Sequence, residues 1–319
     1  MSALKHVIEV IDLLEDPNIN GEKVRQFFIN KGYEKLMTIH VEEIKSSRGK
    51  TDFIKIIIPG EKGKYIGGDA PTLGVIGRLG GISVRPHKLG LVSDADGAIV
   101  ALATAYKIVE LKSRGEVLDG DVIITTHICP KALIKKHKPA EMVSSPIDIF
   151  ELLKREVDES MDAIISVDAT KANNVINHTG FAITPTVKEG WILKVSDDML
   201  NIYMRITGEP PVIVPITMQD ILPYPTPVYH INSMMQPWIY TNAPVVGLAI
   251  TSKTIIPGSA TGATNVWILE QATRFIIEVA KELGKGNVKF YDEEEWKKII
   301  SIHGHVKEIL KKSLTTLPL

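Results

Sequence analysis

Three near-continuous apolar runs constrain the chain most: "GDVIITTHICP" at 120–130, "MDAIISVDAT" at 161–170 and "NAPVVGLAITSK" at 242–253. A strand buried on both faces reads as such a run, whereas a strand with one wet face alternates. Strands are expected at 88–93, 121–128, 163–167, 212–216 and 245–250, and helices at 96–114, 146–158, 197–207 and 266–283. Strands alternating with helices imply an α/β fold, a three-layer α/β/α sandwich around a mostly parallel mixed sheet.

The flanking segments fit the same plan. Val7, Ile8, Val10, Ile11, Leu13 and Leu14 give one helix an apolar face, and "DPNINGEKV" breaks it and starts a second helix through Phe28. "DFIKIIIPG" at 52–60 is a β-branched run that stops at Pro-Gly, hence a strand. "GGDAPTLGVIGRLGG" at 67–81 reads as turns around one short helix, 179–194 as a hairpin, and the tail from Tyr291 as one or two helices. With no internal repeat and no linker, residues 1–319 form one domain: N-terminal helices and a strand in 1–50, a core in 51–284 and a helical tail in 285–319.

Composition narrows the partners. A net charge of -1 and the lack of basic runs interleaved with aromatics argue against nucleic acid. The basic "KEILKKS" at 307–313 reads as a solvated helix face. No apolar run approaches the roughly 18 residues of a membrane span, and the acids in "MSALKHVIEVIDLLED" do not suit a signal peptide. The single cysteine, Cys129, allows no intrachain disulfide, so a cytoplasmic setting is expected.

Chemistry is expected at the carboxyl ends of the strands, where open α/β sheets bind ligands. In "LVSDADGAIVALATAYKIVE" at 91–110, Asp94 and Asp96 separate an apolar lead-in from an amphipathic helix. One of them can cap that helix; Asp96 is read as the cap and Asp94 as the functional carboxylate. His127 and Cys129 end one strand on a common face, and Asp168 ends another. Carboxylate, imidazole and thiolate are zinc's ligand types, so Asp94, His127, Cys129 and Asp168 form a candidate site for a divalent metal such as zinc. Cys129 as nucleophile with His127 as base is the alternative. Each has a plainer reading: a strand-end histidine, a buried small hydrophobe, a turn aspartate.

Weaker candidates surround these. "PGSATGATN" at 257–265 offers backbone N–H groups to an anion, or is a turn with a Thr264 cap. In "VYHINSMMQPW", His230, Asn232, Met234 and Met235 sit on an expected helix, the methionines more as core than as a binding patch. His303 and His305 read as a surface turn. The glycines before Arg78 match neither a Walker loop nor a dinucleotide fingerprint.

The order of these motifs resembles that of zinc-dependent exopeptidases, the aminopeptidase/carboxypeptidase/deacylase superfamily, from about Thr51 to Gly284. More closely, "GGDAPTLGVIGRLGG", "SDADGAI", "THICP", "TPTVKEG" and "PGSATGA" make the chain similar to the uncharacterised prokaryotic family called domain of unknown function 1177. The superfamily resemblance implies that Asp94 corresponds to its bridging metal aspartate and Asp168 to its second acidic ligand. The histidine of its His-x-Asp motif falls on Gly67, with Asp69 retained; its Glu-Glu pair falls on Cys129 and Pro130; its last histidine has no counterpart. Three functions therefore compete. One is a metal-dependent hydrolase-like enzyme with a rebuilt site, acting on a small amide or amino-acid-derived substrate. Another is a non-catalytic small-molecule-binding protein whose pocket is lined by Asp94, Asp168, Lys171 and the loop 258–262; the candidate substrate-binding residues are Asp69, Asp96, Lys171, Ser259 and Thr261. The third is a structural role, and fold alone chooses none of them. The scaffold also implies a homo-oligomer.

Overall fold

The computed structural model describes residues 1–78, 80–222, 228–261 and 264–310. Gly262 of the candidate anion loop, Leu79 and Ala263 of the quoted motifs, and the last residues of "KEILKKS" lie outside the described residues. Among the described residues eleven strands are found: β1 Thr38–Ser46, β2 Gly49–Ile58, β3 Leu73–Gly77, β4 Val122–Ile128, β5 Leu133–Lys135, β6 Met142–Ser144, β7 Ala163–Ala169, β8 Gly180–Ile183, β9 Val187–Lys188, β10 Trp191–Ile192 and β11 Val245–Thr251. The helices are α1 Leu4–Glu15, α2 Gly21–Asn30, α3 Asp96–Ser113, α4 Ile149–Glu156, α5 Asp197–Thr207, α6 Met218–Ile221, α7 Val266–Gly284 and α8 Glu293–His303.

The main sheet runs β1-β2-β4-β3-β7-β11-β9-β10, with β8 also paired to β11. Its centre, β4-β3-β7-β11, is parallel, and the flanking pairings are antiparallel. The mixed α/β/α architecture is thus as expected, with the parallel part confined to the four central strands. Alternation sorts their side chains. Leu73, Val75, Ile124, Ile165 and Leu248 face the layer of α1, α3 and α7, while Ile76, Ile123, Ile164 and Ala249 face α6 and the 3-10 turn Ser233–Tyr240. On that second face α4 packs against β1 and β2 through Leu152, Ile147, Phe53 and Ile44.

Four expectations fail. Residues 88–93 form no strand; only Val92 makes a lone bridge, to Thr261. The strand that precedes α3 is β3, inside the stretch read as turns around a helix. Its glycines are packing devices: a Cβ on Gly74 would lie 2.3 Å from the Met161 sulfur, and one on Gly77 2.6 Å from the Gly97 carbonyl oxygen. The run 212–216 likewise forms no strand, only a bridge from Ile213 to Ile183. Helix α3 is buried on every side from Asp96 to Glu110 rather than amphipathic, because the sheet covers one flank and α1 and α7 the other.

The connections fix where a ligand can sit. From β3 the chain crosses to β4 on one side, and from β7 it leaves towards β11 on the other. The carboxyl ends of β3 and β7 are therefore the topological switch point, the crevice that open α/β sheets use for ligands. Helix α3 is drawn tightly into this edge. A Cβ on Gly97 would meet the carbonyl oxygens of Arg78 at 2.3 Å and Val167 at 2.7 Å. No flexible group lies there to yield, so Gly97→Ala should cost about 1–3 kcal/mol in stability through overpacking, measured as a lowered denaturant midpoint. An unchanged midpoint would contradict the close approach.

Candidate functional site

Two buried polar clusters meet at the switch point. The first is anchored by Arg78, the residue after β3, which is fully buried. Its Nη1 donates to Glu156 Oε2 at 2.5 Å, and the other oxygen of Glu156 lies 3.0 Å from His127 Nε2. Glu156 ends α4 on the buried side of that helix, beside Leu152 and Leu153. Burial pushes its carboxyl upward, but Arg78 and His127 outweigh this and hold it below the ordinary range. Arg78 Nε and Nη2 have no partner among the described residues.

The second cluster gathers acids around one ammonium. The 3-10 turn Ser93–Ala95 leads into α3 and delivers Asp94 and Asp96. Asp96 is not a helix cap: the capping position is Ala95, with no side-chain cap. Instead one Asp96 oxygen pairs with the buried Lys171 Nζ, and the other accepts from Thr264 Oγ1 at 3.0 Å. Thr264 in turn is not the α7 cap; Asn265 is. Asp168, at the end of β7, accepts from Ser233 Oγ at 2.8 Å. The loop 257–261 wraps the acids: Ser93 Oγ donates to the Pro257 carbonyl at 2.8 Å, and a Cβ on Gly258 would lie 2.8 Å from Asp94 Oδ1.

All three acids sit above the usual carboxylate range. For Asp94 burial is the leading cause, and the charges of Asp168 and Asp96 add to it while Lys171 opposes it. For Asp168 burial again leads, opposed by Arg78 and the Ser233 hydrogen bond. For Asp96 burial outweighs Lys171. Alongside the acids opens a cavity of about 450 Å³ in whose wall Arg78 and Ser233 both take part.

The predicted site residues separate on this framework. Asp94, Asp96, Asp168, Lys171 and Ser259 come to the same edge. Ser259 is buried there, with its hydroxyl 3.4 Å from Glu141; Thr261 is exposed on the loop. Asp69 is misplaced: it is exposed and precedes β3, at the opposite edge of the parallel strands. His127 and Cys129 do not form a catalytic pair. The imidazole is committed to Glu156, and the Cys129 thiol contacts the Lys50 carbonyl at 3.5 Å within an apolar cluster of Val84, Val92, Ala132 and Val143. Burial pushes that thiol up to about 11, the opposite of an activated nucleophile. Arg78, Glu156, Ser233 and Thr264 were not anticipated as partners. The signal for Glu156 was present, since an acid shares the apolar face of "IFELLKRE".

The donor set does not suit zinc. Among the described residues no group of three or more His, Cys, Asp or Glu side chains is placed to share a metal ion. Burial raises the proton affinity of Asp94 and Asp168, His127 Nε2 is occupied, and the place beside Asp96 is taken by an ammonium.

Comparison with solved structures agrees with the fold. The Legionella pneumophila LapA aminopeptidase superposes with a TM-score of 0.52 at 12% identity, over 88% of this chain and 72% of that one. A glutaminyl cyclase from an Acidobacteriales bacterium gives 0.48 at 12% identity, over 89% and 94%. The architecture thus resembles that of the LapA aminopeptidase. The chain belongs to the family described as "Protein of unknown function (DUF1177)", which matches residues 42–313. Among curated proteins none matches.

The raised acids make stability depend on pH. The fold prefers neutral Asp94, so its contribution is full below about pH 4, the ordinary aspartate range, and is lost as pH rises through the raised folded value. Asp94→Asn, a permanently neutral isostere, should therefore be more stable than the parent at pH 8, with the difference vanishing towards pH 4. Denaturant midpoints across that range check it; an Asn variant that is weaker at pH 8 would contradict it.

Proposed function

We propose that this chain is a small-molecule-binding protein built on a metallo-exopeptidase-like scaffold, in which the ammonium of Lys171 is the cation that the acids share. The observation that carries this reading is the buried Lys171–Asp96 pair, tied to α7 through Thr264. A buried ammonium stays charged only with a close counter-charge, and Asp96 supplies it at the edge where Asp94 and Asp168 also converge. The adjoining cavity gives a ligand room beside Asp168 without displacing that pair. A small molecule is accordingly the expected partner, rather than nucleic acid or membrane.

A second reading keeps an enzyme. Two neighbouring carboxyls with raised proton affinity suit general acid–base work, one donating a proton and one accepting it. Hydrolysis of a small amide or amino-acid derivative would then proceed through Asp94 and Asp168 rather than through Cys129 or His127.

Elemental analysis of tag-free protein purified without chelator, beside Asp94→Ala and Cys129→Ala variants, tests the main reading. The expected result is substoichiometric metal that is the same in all three. About one metal per chain, lost in Asp94→Ala, would overturn it in favour of a rebuilt metallohydrolase.

A further inference from the structure

The polar half of the cavity wall is unbalanced in charge. Among the described residues Arg48, Arg78 and Lys135 line it, against the single acid Asp148, with His137 and His230 also in the wall. Its deepest group is Arg78, which has no exposed surface. The guanidinium is held by one corner only, through Nη1 to Glu156, and its Nε and Nη2 have no hydrogen-bond partner among the described residues. Leaving two buried N–H donors unmade is costly in a folded chain, and such groups call for a ligand, an ion or water. Nε and Nη2 form the side edge of the planar fork, whose two parallel N–H bonds match the two oxygens of a carboxylate. Gln236 adds a second unmet group to the same wall. Its amide nitrogen donates to the carbonyls of Asp220 and Leu222, which leaves its buried Oε1 without a donor.

We infer that this cavity binds a small organic carboxylate, with the carboxylate on the Nε/Nη2 edge of Arg78 and a hydrogen-bond donor of the ligand facing Gln236 Oε1. Glu156 positions the guanidinium and offsets part of its charge, so the site as a whole accepts a monoanion. Ser233, shared between the cavity wall and Asp168, brings the rest of the ligand next to the acids. The inference rests on the small-molecule reading of this edge and names the class of ligand.

Ligand-observed NMR with benzoate, its neutral isostere benzamide and inorganic phosphate tests it on the full chain. The expected result is benzoate binding at least tenfold tighter than benzamide or phosphate. Arg78→Lys, which keeps the charge opposite Glu156 but loses the fork, should weaken benzoate at least tenfold, and Asp69→Asn, exposed at the opposite edge of the parallel strands, should leave it within about twofold. Ser144→Trp, on the cavity wall and away from the ion pair, should abolish binding and serves if the Arg78 variant does not fold. Equal binding of benzoate and benzamide would overturn the carboxylate assignment while leaving the small-molecule reading intact. Equal binding of phosphate would reduce the site to a general anion hole and overturn it as well. No binding of any probe, or benzoate binding insensitive to both Arg78→Lys and Ser144→Trp, would overturn the site itself.

Discussion

The buried ion pair between Lys171 and Asp96 holds the candidate site together. It joins the segment after β7 to the first residue of α3, and through Thr264 to the entry of α7, so three elements of the carboxyl edge meet at one point. Removing both charges from water is expensive, and breaking such a pair by deleting one partner costs more than the pair itself contributes. The geometry around it is correspondingly constrained. Gly77 and Gly97 admit α3 to within backbone contact of β3 and β7, and that approach puts Asp94 and Asp96 at the switch point. A side chain at either glycine would push the acids away from Lys171 and Asp168.

Charges of both signs share this edge, with the acids Asp168 and Asp94 adjacent. Glu156 faces Arg78, Arg78 lies near Asp168, Asp168 near Asp94, and Lys171 faces Asp96. Arg78 and Lys171 thereby moderate acids that burial drives towards their neutral forms. The arrangement differs in kind from a metal site. A divalent ion needs several deprotonated donors on one centre, whereas these donors are divided between two organic cations. Likeness to an aminopeptidase in fold therefore does not carry the aminopeptidase's chemistry to this chain.

Much of this was legible in the sequence. The runs that became β4, β7 and β11 announce a sheet buried on both faces, and α5 and α7 follow from their apolar periodicity. Asp168 was found because strand ends converge on one edge, whereas Asp94 was reached through a strand at 88–93 that does not form. What the sequence hides is tertiary. Strand β3 is five residues long, and its two glycines mimic a turn because nothing local reveals that Met161 and α3 need the space. Asp96 reads as a helix cap until Lys171, distant in sequence, claims its carboxylate. Cys129 and His127 read as ligands by residue type alone, but their neighbours, an apolar cluster and Glu156, decide otherwise. Asp69 was carried by motif order, and the topology places it at the wrong end of β3.

The claim that an internal ammonium stands where a metal would be expected can be tested by taking the ammonium away. Thermal unfolding of the parent chain and of Lys171→Gln, each with and without zinc, is the most direct measurement. Removing Lys171 leaves Asp96 and Asp94 without their cation, and a ligand that binds only the folded state raises its melting temperature. The account predicts no zinc shift for the parent and a clear upward shift for Lys171→Gln. A parent chain stabilised by zinc, with the effect lost in Lys171→Gln or in Asp94→Ala, would contradict it.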